Sequence, residues 1–125
     1  LSMRKQSYDF VCVNYANPDM VGHTGVFSAI VKACETVDSC AEALIEYARR
    51  EDYKVIVIAD HGNADKAVNE DGTPNTAHTT NLVPIYILGS EADSVSNGKL
   101  ADVAPTVLKI LEIPVPAEFD GQSML

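Results

Sequence analysis

Three short segments hold side chains able to do chemistry. Asp19-Met20-Val21-Gly22-His23 places a carboxylate and an imidazole four residues apart, which puts one above the other if the segment makes a turn of helix. Asp60-His61-Gly62-Asn63 sets an acid directly beside an imidazole at the end of an apolar run. Thr76-Ala77-His78-Thr79-Thr80 carries the third and last histidine of the chain. Imidazole plus carboxylate is the ligand mix of zinc, manganese and iron sites, and two metals held close together are a common device for phosphoryl chemistry. A single loop histidine is usually solvated, and a single Asp after a strand is usually a cap or turn former. All three histidines fall in Gly/Asn/Asp-rich loops in company with acids, so the metal reading is preferred for the group as a whole.

The elements that must position these residues follow from hydrophobic spacing. Tyr8 to Tyr15 is a short apolar run closed by Asn17-Pro18-Asp19, the pattern of a buried strand, and a loop is expected from Asn17 to Gly25. Val26, Ile30, Ala33, Val37, Ala41, Leu44 and Ala48 recur at three- and four-residue intervals and predict an amphipathic helix of several turns. Lys54 to Ala59 is continuously apolar and β-branched, as in a strand covered on both faces. The polar stretch from Gly62 to Asn81 is long for a loop inside a compact domain, which points to a functional segment. Leu82 to Leu88 predicts another strand, with Pro84 near its start. Ala101 to Leu111 predicts a second helix, with Asp102 as N-terminal cap and Pro105 in the first turn. The β-α-β-loop-β-α order predicts an α/β fold with a mostly parallel sheet sandwiched by helices, in which ligands gather at the carboxyl ends of strands. Asp19, His23, Asp60 and His61 all lie just past such ends, within reach of His78.

Composition narrows the function classes. The 125 residues carry 9 Lys plus Arg against 18 Asp plus Glu, a net charge of −9, with no basic stripe. Binding to nucleic acid or to anionic lipid needs clustered cations, so neither is expected. No apolar run reaches membrane-spanning length, and the start, Leu1 to Gln6, lacks the apolar core of a signal peptide, so the expected location is cytoplasmic. The cysteines, Cys12, Cys34 and Cys40, are odd in number and form no C-x-x-C, and are read as small buried hydrophobes. Gly22, Gly25 and Gly62 could admit a ligand close to the backbone, although no phosphate-cradling glycine pattern is present. A serine hydrolase is poorly supported: there is no G-x-S-x-G elbow, and Ser2, Ser7, Ser28, Ser39, Ser90, Ser94, Ser96 and Ser123 have no nucleophile-like context. Glu42, Glu46 and Glu51 read as a solvated helix face, and Glu70-Asp71-Gly72 as a turn.

Four stretches together resemble one family, the cofactor-independent (2,3-bisphosphoglycerate-independent) phosphoglycerate mutases of the alkaline phosphatase superfamily. They are Asn14 to Gly25, Ala59 to Asp65, His78-Thr79-Thr80-Asn81 leading into Val83-Pro84, and Leu100 to Thr106. The Asp60-His61-Gly62 piece is general to the superfamily, whereas the long first stretch is specific to these mutases. The resemblance implies an alkaline-phosphatase-like domain in which Asp19, His23 and His78 bind one divalent metal ion and Asp60 and His61 a second. The family usually uses two manganese ions, and zinc, iron or cobalt accept the same ligands. It also implies that phosphoglycerate is the substrate of the intact enzyme, through a phosphoserine intermediate. Metal-dependent phosphate-ester hydrolysis, a phosphopentomutase-type reaction, and a non-catalytic metal-binding module are the alternatives.

The family's nucleophilic serine, a further aspartate ligand, and its substrate-holding arginines and lysine lie earlier in a much longer chain. Arg4, Arg49 and Arg50 match none of those positions. Residues 1–125 are therefore expected to form the C-terminal portion of a phosphatase-like metalloenzyme domain, an incomplete domain that is inactive alone. It would self-associate through exposed sheet edges and apolar surface.

Overall fold

The computed structural model describes residues 8–125, so the readings made on Leu1 to Gln6, Arg4, Ser2 and Ser7 lie outside it. In chain order the elements are α1 (Asn17–Gly22), α2 (Phe27–Arg50), β1 (Val55–Ile58), β2 (Ile85–Leu88) and α3 (Val103–Ile110), with single 3-10 turns at Ala64–Lys66 and Leu100–Asp102. No helix among the described residues is long and apolar enough to cross a membrane.

The spacing-based helices form where expected. Ile30, Ala33 and Ala48 of α2 are buried, with Val37, Ala41 and Leu44 half-buried on the same stripe. Both long helices close with an acid in the left-handed conformation, Asp52 at φ 60° after α2 and Glu112 at φ 57° after α3. In each the following amide reaches back, Tyr53 N–H to the Ala48 carbonyl and Ile113 N–H to Leu108, the double-bonded ending that satisfies the last carbonyls of a helix. Between Asn17 and Gly22, where a loop was expected, there is a short helix with Pro18 in its first turn, where its missing N–H costs nothing.

The sheet departs from expectation in two ways. The α/β class holds, but β1 and β2 pair antiparallel, Val55 opposite Leu88 and Ile58 opposite Ile85, instead of in parallel. Residues 59–84, which connect them, contain no crossover helix to carry the chain back to the starting end, so the second strand returns in the opposite sense. The run Tyr8 to Tyr15, read as a buried strand, forms no strand and pairs with none, with Tyr8, Phe10 and Val13 exposed. The Tyr53 hydroxyl donates to the Tyr8 carbonyl, and an open groove lined by Phe10, Val11, Ile56, Val107 and Leu111 separates the run from β1. A strand is only as real as its hydrogen-bonded neighbour, and none of the described residues supplies one. For the same reason β1, expected to be covered on both faces, is only half-buried, and Ile58 is exposed. Cys12, Cys34 and Cys40 are exposed free thiols, not core residues: the first lies on the unpaired run, and the other two flank the buried stripe of α2 on opposite sides.

The C-terminal tail is pinned by α3. Thr106 is 0 % exposed; its hydroxyl donates to the Asp102 carbonyl (2.7 Å) and accepts the Met124 N–H (3.0 Å). Asp102 occupies the expected N-cap position of α3, but its side chain makes no capping bond to that helix. Its carboxylate accepts the Lys99 N–H that opens the preceding 3-10 turn and, from the tail, the Gln122 N–H, both at 2.8 Å. The Gln122 and Lys99 amides, aided by the Lys99 charge, hold its pKa below the ordinary carboxylate value of 3.8. A group with a lowered folded-state pKa stabilises fully above its unfolded value and loses that contribution as pH falls through the folded one. Asp102→Asn should therefore flatten the fall in thermal midpoint below about pH 4 relative to the parent chain; an identical decline in the two proteins would refute this.

Candidate metal centre

Helix α1 brings the first pair together. Asp19 in its first turn and His23 at its C-cap stand four residues apart, and His23 Nε2 lies 3.3 Å from Asp19 Oδ1. His23 Nδ1 is 2.7 Å from the Thr76 carbonyl, which can only accept, so Nδ1 carries the proton and the Nε2 lone pair faces Asp19. This is the outer support by which a ligating histidine is usually fixed in tautomer and orientation.

The loop before β2 delivers the third donor. His78 Nε2 lies 3.0 Å from Asp19 Oδ1 and 3.2 Å from His23 Nε2. Among the described residues Asp19, His23 and His78 form a group of three whose ligand atoms lie within 4.8 Å of one another. Donor atoms about 2.0–2.2 Å from one shared ion stand about 2.8–3.6 Å from each other, octahedral to tetrahedral. All three separations fall inside that window. Asp19 Oδ1 is moreover buried and accepts no hydrogen bond, a costly state for an anionic oxygen unless a cation completes it. The three residues thus fit a divalent ion, while His23 and His78 at 45 % and 49 % side-chain exposure leave its remaining positions open to solvent.

Asp60 and His61 are placed differently. His61 Nε2 is 3.7 Å from Asp60 Oδ1, and the Asp60 side chain is 85 % exposed. The His61 ring stacks on His78, centroids 3.8 Å apart at 24°. The two candidate sites therefore touch through a pair of imidazoles, but among the described residues no group of three donors forms around the second.

The glycines expected to admit a ligand admit protein instead. A Cβ on Gly22 would meet Asn63 Oδ1 at 1.7 Å; on Gly62 it would meet the Thr79 hydroxyl at 2.1 Å; on Gly25 it would meet Pro74. Asn63 at 6 % exposure, Thr76, Thr79, Asn81 and Asp65 all help to fix the loops that carry the histidines, and none stood out by residue type. Asn63, Asp65, Thr79 and Asn81 lie inside the stretches that carry the family resemblance, which was the available signal. Glu70-Asp71-Gly72 is a turn, as expected, closed by Asn69 N–H to Thr73 and holding the Asp71 carboxylate against the Thr73 hydroxyl and amide, which lower its pKa.

The profile of the metalloenzyme superfamily matches residues 2–115. Over 125 residues the chain is 54 % identical to a 2,3-bisphosphoglycerate-independent phosphoglycerate mutase of Bacteroides thetaiotaomicron and 53 % identical to one of Bacteroides fragilis, covering 99 % of this chain and 25 % of each relative. It thus spans about a quarter of the length of these curated relatives. A crystal structure of Leishmania mexicana phosphoglycerate mutase at low cobalt concentration superposes with a TM-score of 0.83 at 29 % identity, covering 98 % of this chain and 26 % of that one.

Proposed function

Since the chain belongs to the metalloenzyme superfamily, we propose that it is the C-terminal portion of the phosphatase-like domain of a 2,3-bisphosphoglycerate-independent phosphoglycerate mutase, supplying metal ligands for interconversion of 3- and 2-phosphoglycerate. The observation that carries this reading is the buried Asp19 Oδ1, without a hydrogen-bond donor, facing the Nε2 atoms of His23 and His78. In the intact protein Asp19, His23 and His78 would hold one divalent ion and Asp60 and His61 would contribute to a second, with manganese the preferred metal. Bound there, such ions supply charge stabilisation to a nucleophilic alkoxide and to the oxygens of a transferring phosphoryl group.

The residues of this chain have three tasks in that reaction. Asp19 contributes the negative charge that favours a cation over a proton shared between two imidazoles. The Thr76 carbonyl keeps His23 in the tautomer that leaves Nε2 free. The stack of His61 on His78 keeps the second pair of donors beside the first.

Metal titration of the 125-residue chain after exhaustive dialysis tests the reading. One divalent ion per chain is expected to bind well, with weak occupancy of a second, and a sample free of contaminating mutase should leave 3-phosphoglycerate unchanged. Failure to take up manganese, cobalt or zinc would overturn the assignment of the centre, and turnover of 3-phosphoglycerate would overturn the assignment of the nucleophile to another part of the protein.

A further inference from the structure

His78 lies in the polar connection between β1 and β2, outside either strand, yet its ring is placed against Asp19, His23 and His61. What fixes it is the segment that follows it. The Thr79 N–H donates to the Gly62 carbonyl at 2.7 Å, making a one-pair antiparallel bridge between residues 62 and 79. Next to that bridge the Thr79 hydroxyl donates to both oxygens of Asp65, at 3.2 and 3.1 Å, and Asn81 Nδ2 donates to Asp65 Oδ2 at 2.6 Å. Asp65 sits in the 3-10 turn that follows His61-Gly62, so one carboxylate joins the loop of His61 to the loop of His78. Its pKa is held below the ordinary carboxylate value chiefly by Asn81, with Thr79 adding to that against the opposing cost of desolvation, so it is an acceptor-only anion at neutral pH. Asp65 is not one of the three grouped donors, so its part in the centre must be exerted through other residues.

The geometry points to Asp65 as a positioning residue: with Thr79 and Asn81 it clamps the His78 loop to the His61 loop and so sets the third donor of the metal centre. This rests on the proposed metal reading. Hydrogen-bonded partners behind metal ligands typically govern affinity by about 10–100-fold, and here the clamp holds the donor that comes from the least regular part of the chain. Loss of the carboxylate would leave the Thr79 hydroxyl and the Asn81 amide without their shared acceptor and release the loop at His78.

Cobalt(II) binding to the 125-residue chain tests this, read by calorimetry and by the visible cobalt band, with circular dichroism recording the fold. Asp65→Ala and Thr79→Val should each weaken cobalt binding by about 10–100-fold, whereas Thr79→Ser, which keeps the hydroxyl, should bind within about threefold of the parent. A merely structural role would lower the thermal midpoint of the Val and Ser variants without separating their cobalt affinities. If Asp65→Ala does not fold, the Thr79 pair decides alone. Cobalt affinity within about twofold of the parent in folded Asp65→Ala, or in Thr79→Val, overturns the inference. Absence of cobalt binding in the parent chain would instead overturn the metal reading beneath it.

Discussion

His78→Ala is expected to lower the affinity of the chain for a divalent ion by at least about 100-fold, some 2.7 kcal/mol, the largest loss anticipated from any single histidine. The reason lies in the denticity of the site. Three donors converge at 3.0–3.3 Å separations on one side, and the other coordination positions face solvent. Removing one leaves Asp19 and His23 alone, a pair on one helical turn with no donor from the opposite side. Outer partners alone are worth about 10–100-fold, so a ligand atom itself must be worth more. Asp60→Ala is the matched control: its side chain is 85 % exposed and stands 3.7 Å from a single imidazole, so affinity at the first site should stay within about threefold of the parent. Isothermal titration with manganese or cobalt on both variants measures the contrast. Equal affinities in His78→Ala and the parent would remove His78 from the centre and the proposal with it.

Both long helices were legible because their information is local. The three- and four-residue spacing from Val26 to Ala48 needs only a helix and something apolar to lie on, and Pro105 fits a first turn in whatever fold surrounds it. The site was legible for a related reason: Asp19 and His23 share a face of any helix that forms there, so recognising the pair required no knowledge of the fold. Strand pairing was not legible, since an apolar run such as Tyr8 to Tyr15 states that a strand could form there and is silent on which neighbour would complete it. The antiparallel sense of β1 and β2 depends on the path of residues 59–84, a polar segment without periodicity. The cysteines were misplaced because residue type gives the average burial of a thiol, while the positions of Cys34 and Cys40, one on each side of the buried stripe of α2, decide the particular case. Asp65 and Asp102 illustrate a third limit. Each has the composition of an ordinary loop or cap acid, and its role becomes visible only when residues 14 or more positions away, Thr79 and Asn81 for the one and Gln122 for the other, are seen donating to it.

Gly22→Ala carries the second large expected effect, and two opposing forces decide its sign. Gly22 is the last residue of α1, and alanine is intrinsically the better helix former by about 0.8–1.0 kcal/mol in a helix interior. Propensity alone would therefore make the substitution neutral or stabilising. Packing opposes it: the added methyl would stand 1.7 Å from Asn63 Oδ1 and 2.7 Å from its Cγ, and Asn63 is only 6 % exposed, so the amide cannot swing into water without shifting its loop. Overpacking of that kind costs about 1–3 kcal/mol or more, which outweighs the propensity gain. The strain also falls beside the centre, because His23 follows Gly22 and Asn63 lies two residues after His61. Gly22→Ala should accordingly lose about 1–2 kcal/mol in urea unfolding and bind divalent metal more weakly. Asn63→Ala removes the obstructing amide, so the double variant should recover most of the stability lost through Gly22→Ala, with a coupling of at least about 1 kcal/mol between the two sites. A Gly22→Ala chain as stable as its parent, or additive effects in the double variant, would mean that the loop bearing Asn63 yields freely. In that case the close packing of α1 against residues 61–65 would not be what holds His23 in place.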